Sequence, residues 1–197
     1  MCFPFFAYAS AVAFSVSTPE MVTRAYSDGK TATQLQYAVY DAAGEELTAL
    51  TKRDATINGS TTVELQLTTG NTYSVIFWAS APNAPYTVDF AKKTMTVNYE
   101  GAVSNAENRD AFYKHHTFTV TGAQTETIEL RRPFAQINIG TADYADSQKA
   151  GYTPTMSAVT VKNLGDQLNF ATGKVSGVAE ARVFATADIK KDEKFPV

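Results

Sequence analysis

Apolar side chains recur at every second position in segment after segment of this 197-residue chain. That period limits what the chain can fold into, because a strand sends alternate side chains to opposite faces. In "AVAFSVS" the alternation puts Val12, Phe14 and Val16 on one face. In "LQYAVYD" it groups Leu35, Tyr37 and Val39, and "DAAGEE" follows as a turn. "TTVELQLTTGNTYSVIFWAS" predicts a hairpin, with Val63, Leu65 and Leu67 on one arm and Tyr73, Val75 and Phe77 on the other. Gly70, in "TTGN" between them, supplies the positive φ that a tight turn needs.

The rest of the chain keeps to short pieces. "APNAPYTVDF" holds two prolines and reads as a surface loop. "KTMTVNYEG" is a short strand with Met95, Val97 and Tyr99 on one side. "SNAENRDAFYK" predicts a short helix, capped by Ser104 or Asn105 and carrying Glu107 in its first turn. "TFTVTGAQTETIELRRPFAQINIGT" predicts a second hairpin around Gly122, Ala123 and Gln124, continuing into a further strand. "ADYADSQKAG" is one polar helical turn or a loop, and "SAVTVKNL", "QLNFATGKV" and "ARVFATADI" supply three more strands. Frequent Tyr, Phe, Thr and Val favour strands over helices. Short strands at intervals of about ten residues predict an all-β sandwich or barrel.

Several function classes find no support. A net charge of −3 carries no basic footprint for nucleic acid. Cys2 is the single cysteine, so no internal disulfide can form. No apolar run reaches the ~18 residues of a spanning helix. The opening "MCFPFFAYASAVAF" is similar to the middle and end of a signal peptide but lacks a basic start, so residues 1–11 are expected to be disordered or leader-like. His115 and His116 are adjacent, so a strand points them to opposite faces and they cannot grip one metal together. Glu45-Glu46 and Asp192-Glu193 lie in turn-like segments near lysines and read as solvated rather than as a hydrolytic pair. "NGS" at residues 58–60 matches a glycosylation sequon and also ordinary turn chemistry. No glycine-rich loop opens a helix, and no cofactor is implied. Trp78 and Tyr86 form an aromatic pair beside the proline-rich loop and are the candidate contacts for a glycan.

Residues 129–141, "ELRRPFAQINIGT", put two arginines and a proline between two strand-like runs. Pro133 cannot donate a ladder hydrogen bond. The joint is therefore expected where the chain leaves one sheet and enters another, its arginine stems covering apolar surface. Beyond it, Ala135, Ile137 and Ile139 share an apolar face.

Three segments carry a family resemblance: "VAFSVSTPEMVTRAYSDG", "LQYAVYDAAGEEL" and "IELRRPFAQINIGT". Together they resemble the fimbrillin-type proteins of the Bacteroidales, subunits of surface pili and related lipoproteins. "YSVIFWA" and "VNYEGAVSNAENRDAFY" look like a gut Bacteroides subgroup of such proteins. The resemblance implies a transthyretin-like, Greek-key β-sandwich with one short helix and no enzymatic activity. Residues 12–185 would form the N-terminal sandwich, and residues 186–197, ending "KKDEKFPV", would be a linker or the start of a truncated second domain. It also implies export to the cell surface and outer membrane, with any membrane contact through a lipid anchor not visible in these residues. An arginine-directed protease would cut at Arg24-Ala25 and remove the strand bearing Val12, Phe14 and Val16. A strand from another fimbrial subunit would then fill the vacated groove. Host glycans or proteins are the other partners considered, through an adhesin or glycan-binding role.

Overall fold

The computed structural model describes residues 8–19, 29–103, 106–135, 143–153, 157–177 and 182–186. Among the described residues thirteen strands follow one another: β1 (Ala9–Ser17), β2 (Gln34–Tyr40), β3 (Lys52–Thr56), β4 (Ser60–Thr68), β5 (Thr72–Ser80), β6 (Tyr86–Asp89), β7 (Thr94–Val97), β8 (Ala111–Thr119), β9 (Gln124–Glu129), β10 (Ser157–Val161), β11 (Gln167–Asn169), β12 (Val175–Ser176) and β13 (Arg182–Thr186). One α-helix, α1 (Tyr144–Lys149), lies in the polar stretch where a helical turn was expected. The fold class is thus all-β and sandwich-like.

Three sheets stack as layers. The first has the order β4-β1-β9, the second β3-β2-β5-β8 and the third β12-β11-β7-β6. Strands β10 and β13 form a separate antiparallel pair. One core fills the space between the first two sheets, built from Val12, Phe14, Val16, Val63, Leu65, Leu67 and Ile128 on one side and Leu35, Val39, Val75, Phe77, Phe112 and Phe118 on the other. A second core lies on the opposite face of the middle sheet, where Ala38, Tyr40, Ile76, Trp78 and Ala111 meet Phe90, Met95, Val97, Leu168 and Phe170. The middle sheet is therefore covered on both faces. This explains why "SVIFWAS" is apolar without interruption: Val75 and Phe77 serve one core, Ile76 and Trp78 the other.

The alternation placed the inward residues correctly, but both expected hairpins are corners. Strand β4 pairs with β1 in the first sheet, whereas β5 pairs with β2 and β8 in the second. Likewise β8 belongs to the second sheet and β9, parallel to β1, to the first. Each "turn" carries the chain across the sandwich, so the two arms face each other through the core instead of sharing a ladder. The two corners are bonded together, Gly70 N–H to the Val120 carbonyl at 2.7 Å and Val120 N–H to the Asn71 carbonyl at 3.0 Å. Gly70 has φ +87°, as its turn requires.

Three further expectations are corrected. The helix expected over 104–114 is a single 3-10 turn at Glu107–Arg109, after which Ala111 already pairs with Ser80. The β-branched and aromatic run from Phe112 gains a nine-residue ladder that a short, half-buried helix cannot match. The proline-rich loop contains strand β6, whose Tyr86 opens the pairing opposite Val97 once the prolines are past. Finally, β1 begins at Ala9, so part of the leader-like stretch belongs to the sandwich.

Phe14 is fully buried and meets Phe77 at 5.6 Å and Phe118 at 5.2 Å between ring centroids. Phe14→Ala should lower stability by about 3–5 kcal/mol, the usual cost of emptying an aromatic core site. Urea unfolding followed through Trp78, the sole tryptophan, would read this as an earlier midpoint with an unchanged slope.

Candidate functional site

Strand β1 is inserted between two others. Its antiparallel partner β4 runs in register from Ala9 opposite Thr68 to Ser17 opposite Ser60. On its other edge β9 runs parallel, from Val12 beside Gln124 to Ser17 beside Glu129. Val12, Phe14 and Val16 have no exposed surface at all. Each contributes roughly 1.5–3 kcal/mol of hydrophobic burial. The strand is also fastened at its ends. Thr69 N–H donates to the Tyr8 carbonyl at 2.8 Å, and Thr18 N–H donates to the Gly59 carbonyl at 2.9 Å. The hydroxyls of Ser10 and Thr69 lie 2.7 Å apart. Without β1, the inner edges of β4 and β9 would lose their ladder, and an apolar trough would open over Phe77 and Phe118.

The arginine joint closes the far end of this slot. Leu130 N–H donates to the Ser17 carbonyl at 2.8 Å, a bond to the first sheet. One residue later Arg131 exchanges two backbone bonds with Tyr113 of β8, at 2.9 and 3.0 Å, in the second sheet. The expected passage between sheets is therefore present. Arg132 grips Asp110 with two bonds, Nε to Oδ1 at 2.6 Å and Nη2 to Oδ2 at 2.7 Å. Its guanidinium lies 5.2 Å from the centroid of the Phe112 ring. The Asp110 side chain is only 2% exposed. The arginine head thus reaches a buried carboxylate. Gly29 sits against the same group with φ +81°, and a Cβ there would stand 3.2 Å from Phe112 Cζ. Arg24 and Ala25, the expected cut, lie outside the described residues, between Pro19 and Gly29.

The other candidate residues scatter. Trp78 is 1% exposed, held between the second and third sheets with Tyr86 at 5.3 Å and Phe170 at 5.6 Å. Tyr86 is partly buried, stacks on Phe134 and donates its hydroxyl to the Arg109 carbonyl. Burial pushes that hydroxyl's pKa well above its ordinary value. The pair is packing, and no indole face is open to a sugar. His115 and His116 do point to opposite faces. His116 Nε2 lies 3.1 Å from Glu126 Oε2 and links β8 to β9. His115, in register with Ile76, is half-buried on the side of the second core. Burial holds its pKa below the ordinary 6.5. Asp110 escaped notice in the sequence. Its only signal was an acid just before an apolar strand, and nothing in the spacing tied it to Arg132.

Fold and slot together define an all-β sandwich whose first strand is the inner strand of its sheet. The chain belongs to the family described as a family of unknown function (DUF6562), which matches residues 6–196. No curated protein matches its sequence. Among solved structures, a candidate adhesin from Bacteroides ovatus superposes with a TM-score of 0.57 at 10% identity, covering 95% of this chain and 69% of that one. A candidate polysaccharide-binding protein (DUF1812) from Bacteroides thetaiotaomicron VPI-5482 gives 0.53 at 15% identity, covering 89% of this chain and 64% of that one. This chain spans less than two thirds of the length of the latter. A fimbrial assembly protein from Parabacteroides distasonis ATCC 8503 gives 0.45 at 16% identity, covering 93% and 78%, an overlap too loose to carry weight. At these identities the likeness establishes the fold alone.

Two outcomes follow from the site. Asp110→Ala should destabilise by about 3–5 kcal/mol, because it removes the buried carboxylate partner of the Arg132 guanidinium. Lys92→Ala, which breaks the exposed pair with Asp89, should leave stability nearly unchanged. Thermal unfolding of both variants checks the contrast. For His115 the folded state favours the neutral ring, so the unfolded chain binds the proton first on acidification. Its contribution is complete above pH 6.5, is lost as pH falls through 6.5, and levels off below the depressed folded value. His115→Gln should flatten that part of the stability-versus-pH curve.

Proposed function

We propose that this protein is a cell-surface structural subunit of a fimbrial or adhesin-like assembly, without enzymatic activity, that works by strand exchange at the β1 slot. The observation that carries this reading is the seating of β1. It is the inner strand of its sheet, it supplies the middle of the core, and it joins the body through residues 20–28. The resemblance to fimbrillin-type subunits assigns a cut to Arg24-Ala25 within that connection. The Arg132–Asp110 pair and Gly29 lie just beyond it, so the body holds its side of the connection through contacts that do not involve β1. A body lacking β1 would expose the inner edges of β4 and β9 and the trough over Phe77 and Phe118. An extended segment from a neighbouring subunit satisfies both the backbone bonds and the apolar surface at once.

Limited digestion of the folded full-length protein with an arginine-specific protease tests the reading. The expected first product is a nick at Arg24-Ala25, found by mass, with Trp78 fluorescence unchanged until β1 is displaced. Resistance of that bond while other loops are cut would remove the processing step.

A further inference from the structure

The slot around β1 has a symmetry that decides what can enter it. Strand β1 is antiparallel to β4 and parallel to β9, so β4 and β9 run opposite to one another. Any strand lying between them is parallel to one neighbour and antiparallel to the other, whichever way it points. Both strand edges offer alternating N–H and C=O groups that can pair in either sense. The backbone of the slot therefore does not select a direction.

The side chains of β1 do not select one either. On the inward side β1 carries Ser10, Val12, Phe14 and Val16, and Thr18 follows just past its end, so the series is a hydroxyl, a valine, a phenylalanine, a valine and a hydroxyl. The series is the same from either end, with Phe14 at its centre. Both hydroxyl ends are used: Ser10 meets the Thr69 hydroxyl at 2.7 Å, and Thr18 Oγ1 donates to the Gly59 carbonyl at 3.2 Å. A reversed strand would bring a threonine to Thr69 and a serine to Gly59, with the same donor and acceptor chemistry. The outward positions Ala9, Ala11, Ala13, Ser15 and Ser17 are all small, so nothing on that face obstructs reversal.

We infer that the slot accepts the β1 segment of a second copy of this chain in either direction. The inference rests on the strand-exchange reading and adds the identity and polarity freedom of the incoming strand. A second copy fits because the segment that fills the slot is the chain's own. Specificity lies in the spacing, a central aromatic flanked two residues away on each side by β-branched groups.

Disulfide trapping between full-length chains tests this in a Cys2→Ser background. Native pairing sets Ala11 opposite Gln66, and Ser17 opposite Ser60. Reflection about Phe14 carries position 11 to the place of position 17. An incoming Ala11→Cys chain should therefore link to a Gln66→Cys chain in the native direction and to a Ser60→Cys chain in the reversed one. All three positions are exposed on the outer face, so the substitutions leave the core intact. Each pair of variants is mixed in urea, refolded together at high concentration, oxidised and resolved on a non-reducing gel. Pairing of Ala11→Cys with Lys52→Cys, on an exposed position of β3, supplies the background.

Both linked heterodimers should exceed that background, with yields within about tenfold of each other, the difference one or two end hydrogen bonds can make. Linkage to Gln66→Cys alone would overturn the inference while leaving strand exchange standing, because the slot would then read direction. Linkage to neither would overturn the inference outright, and the exchange reading would be decided separately by cutting at Arg24-Ala25.

Discussion

The structure depends on one buried ribbon. Val12, Phe14 and Val16 enter the core from the first sheet and meet Phe77 and Phe118 from the second, while the backbone that carries them completes two ladders at once. Hydrophobic burial and backbone pairing therefore depend on the same nine residues. A strand placed at a sheet edge could leave at the cost of one ladder. A strand placed between β4 and β9 splits its sheet when it leaves and uncovers the trough beneath. This coupling makes β1 the closing element of the fold, and it is why the proposed exchange is placed there.

The middle sheet is the layer that both cores share. Covered on one face by β4-β1-β9 and on the other by β12-β11-β7-β6, it holds the aromatic floor of the slot in place from behind. Tyr40, fully buried, donates its hydroxyl to the Phe90 carbonyl at 2.8 Å, and Lys93 lies 4.5 Å from the Tyr40 ring centroid, so polar groups at this layer have partners. Phe77 cannot sink away when its neighbours Ile76 and Trp78 are locked into the second core. A slot with a fixed floor would keep its shape for the proposed incoming strand and so lower the ordering cost of binding.

The arginine joint illustrates how much a local reading can reach. That Arg131, Arg132 and Pro133 mark a passage between sheets followed from proline's missing donor and from the strands on either side. The partner of Arg132 did not follow, because Asp110 is 22 positions away along the chain and the register of β8 brings it close. The same limit applied to the aromatic pair. For Trp78 at the end of a strand and Tyr86 after a loop, local sequence left core or rim packing and glycan contact both open, and a third sheet built from short strands covers them. The two supposed hairpins failed for a related reason: alternation says which side chains point inward, and a hairpin and a sheet-crossing corner share that pattern.

By itself, the sequence determined the strand-rich class, the inward faces of β1, β2, β4 and β5, the turn at Gly70 and the passage at Arg131. Those depend on period, propensity and the stereochemistry of glycine and proline, which act within a few residues. Tertiary structure alone decided that β1 lies between an antiparallel and a parallel neighbour, that the middle sheet is covered twice, and that Asp110 receives Arg132. Each of these is a choice among long-range pairings of equal local merit, settled by which arrangement buries the most apolar surface while leaving the backbone bonded.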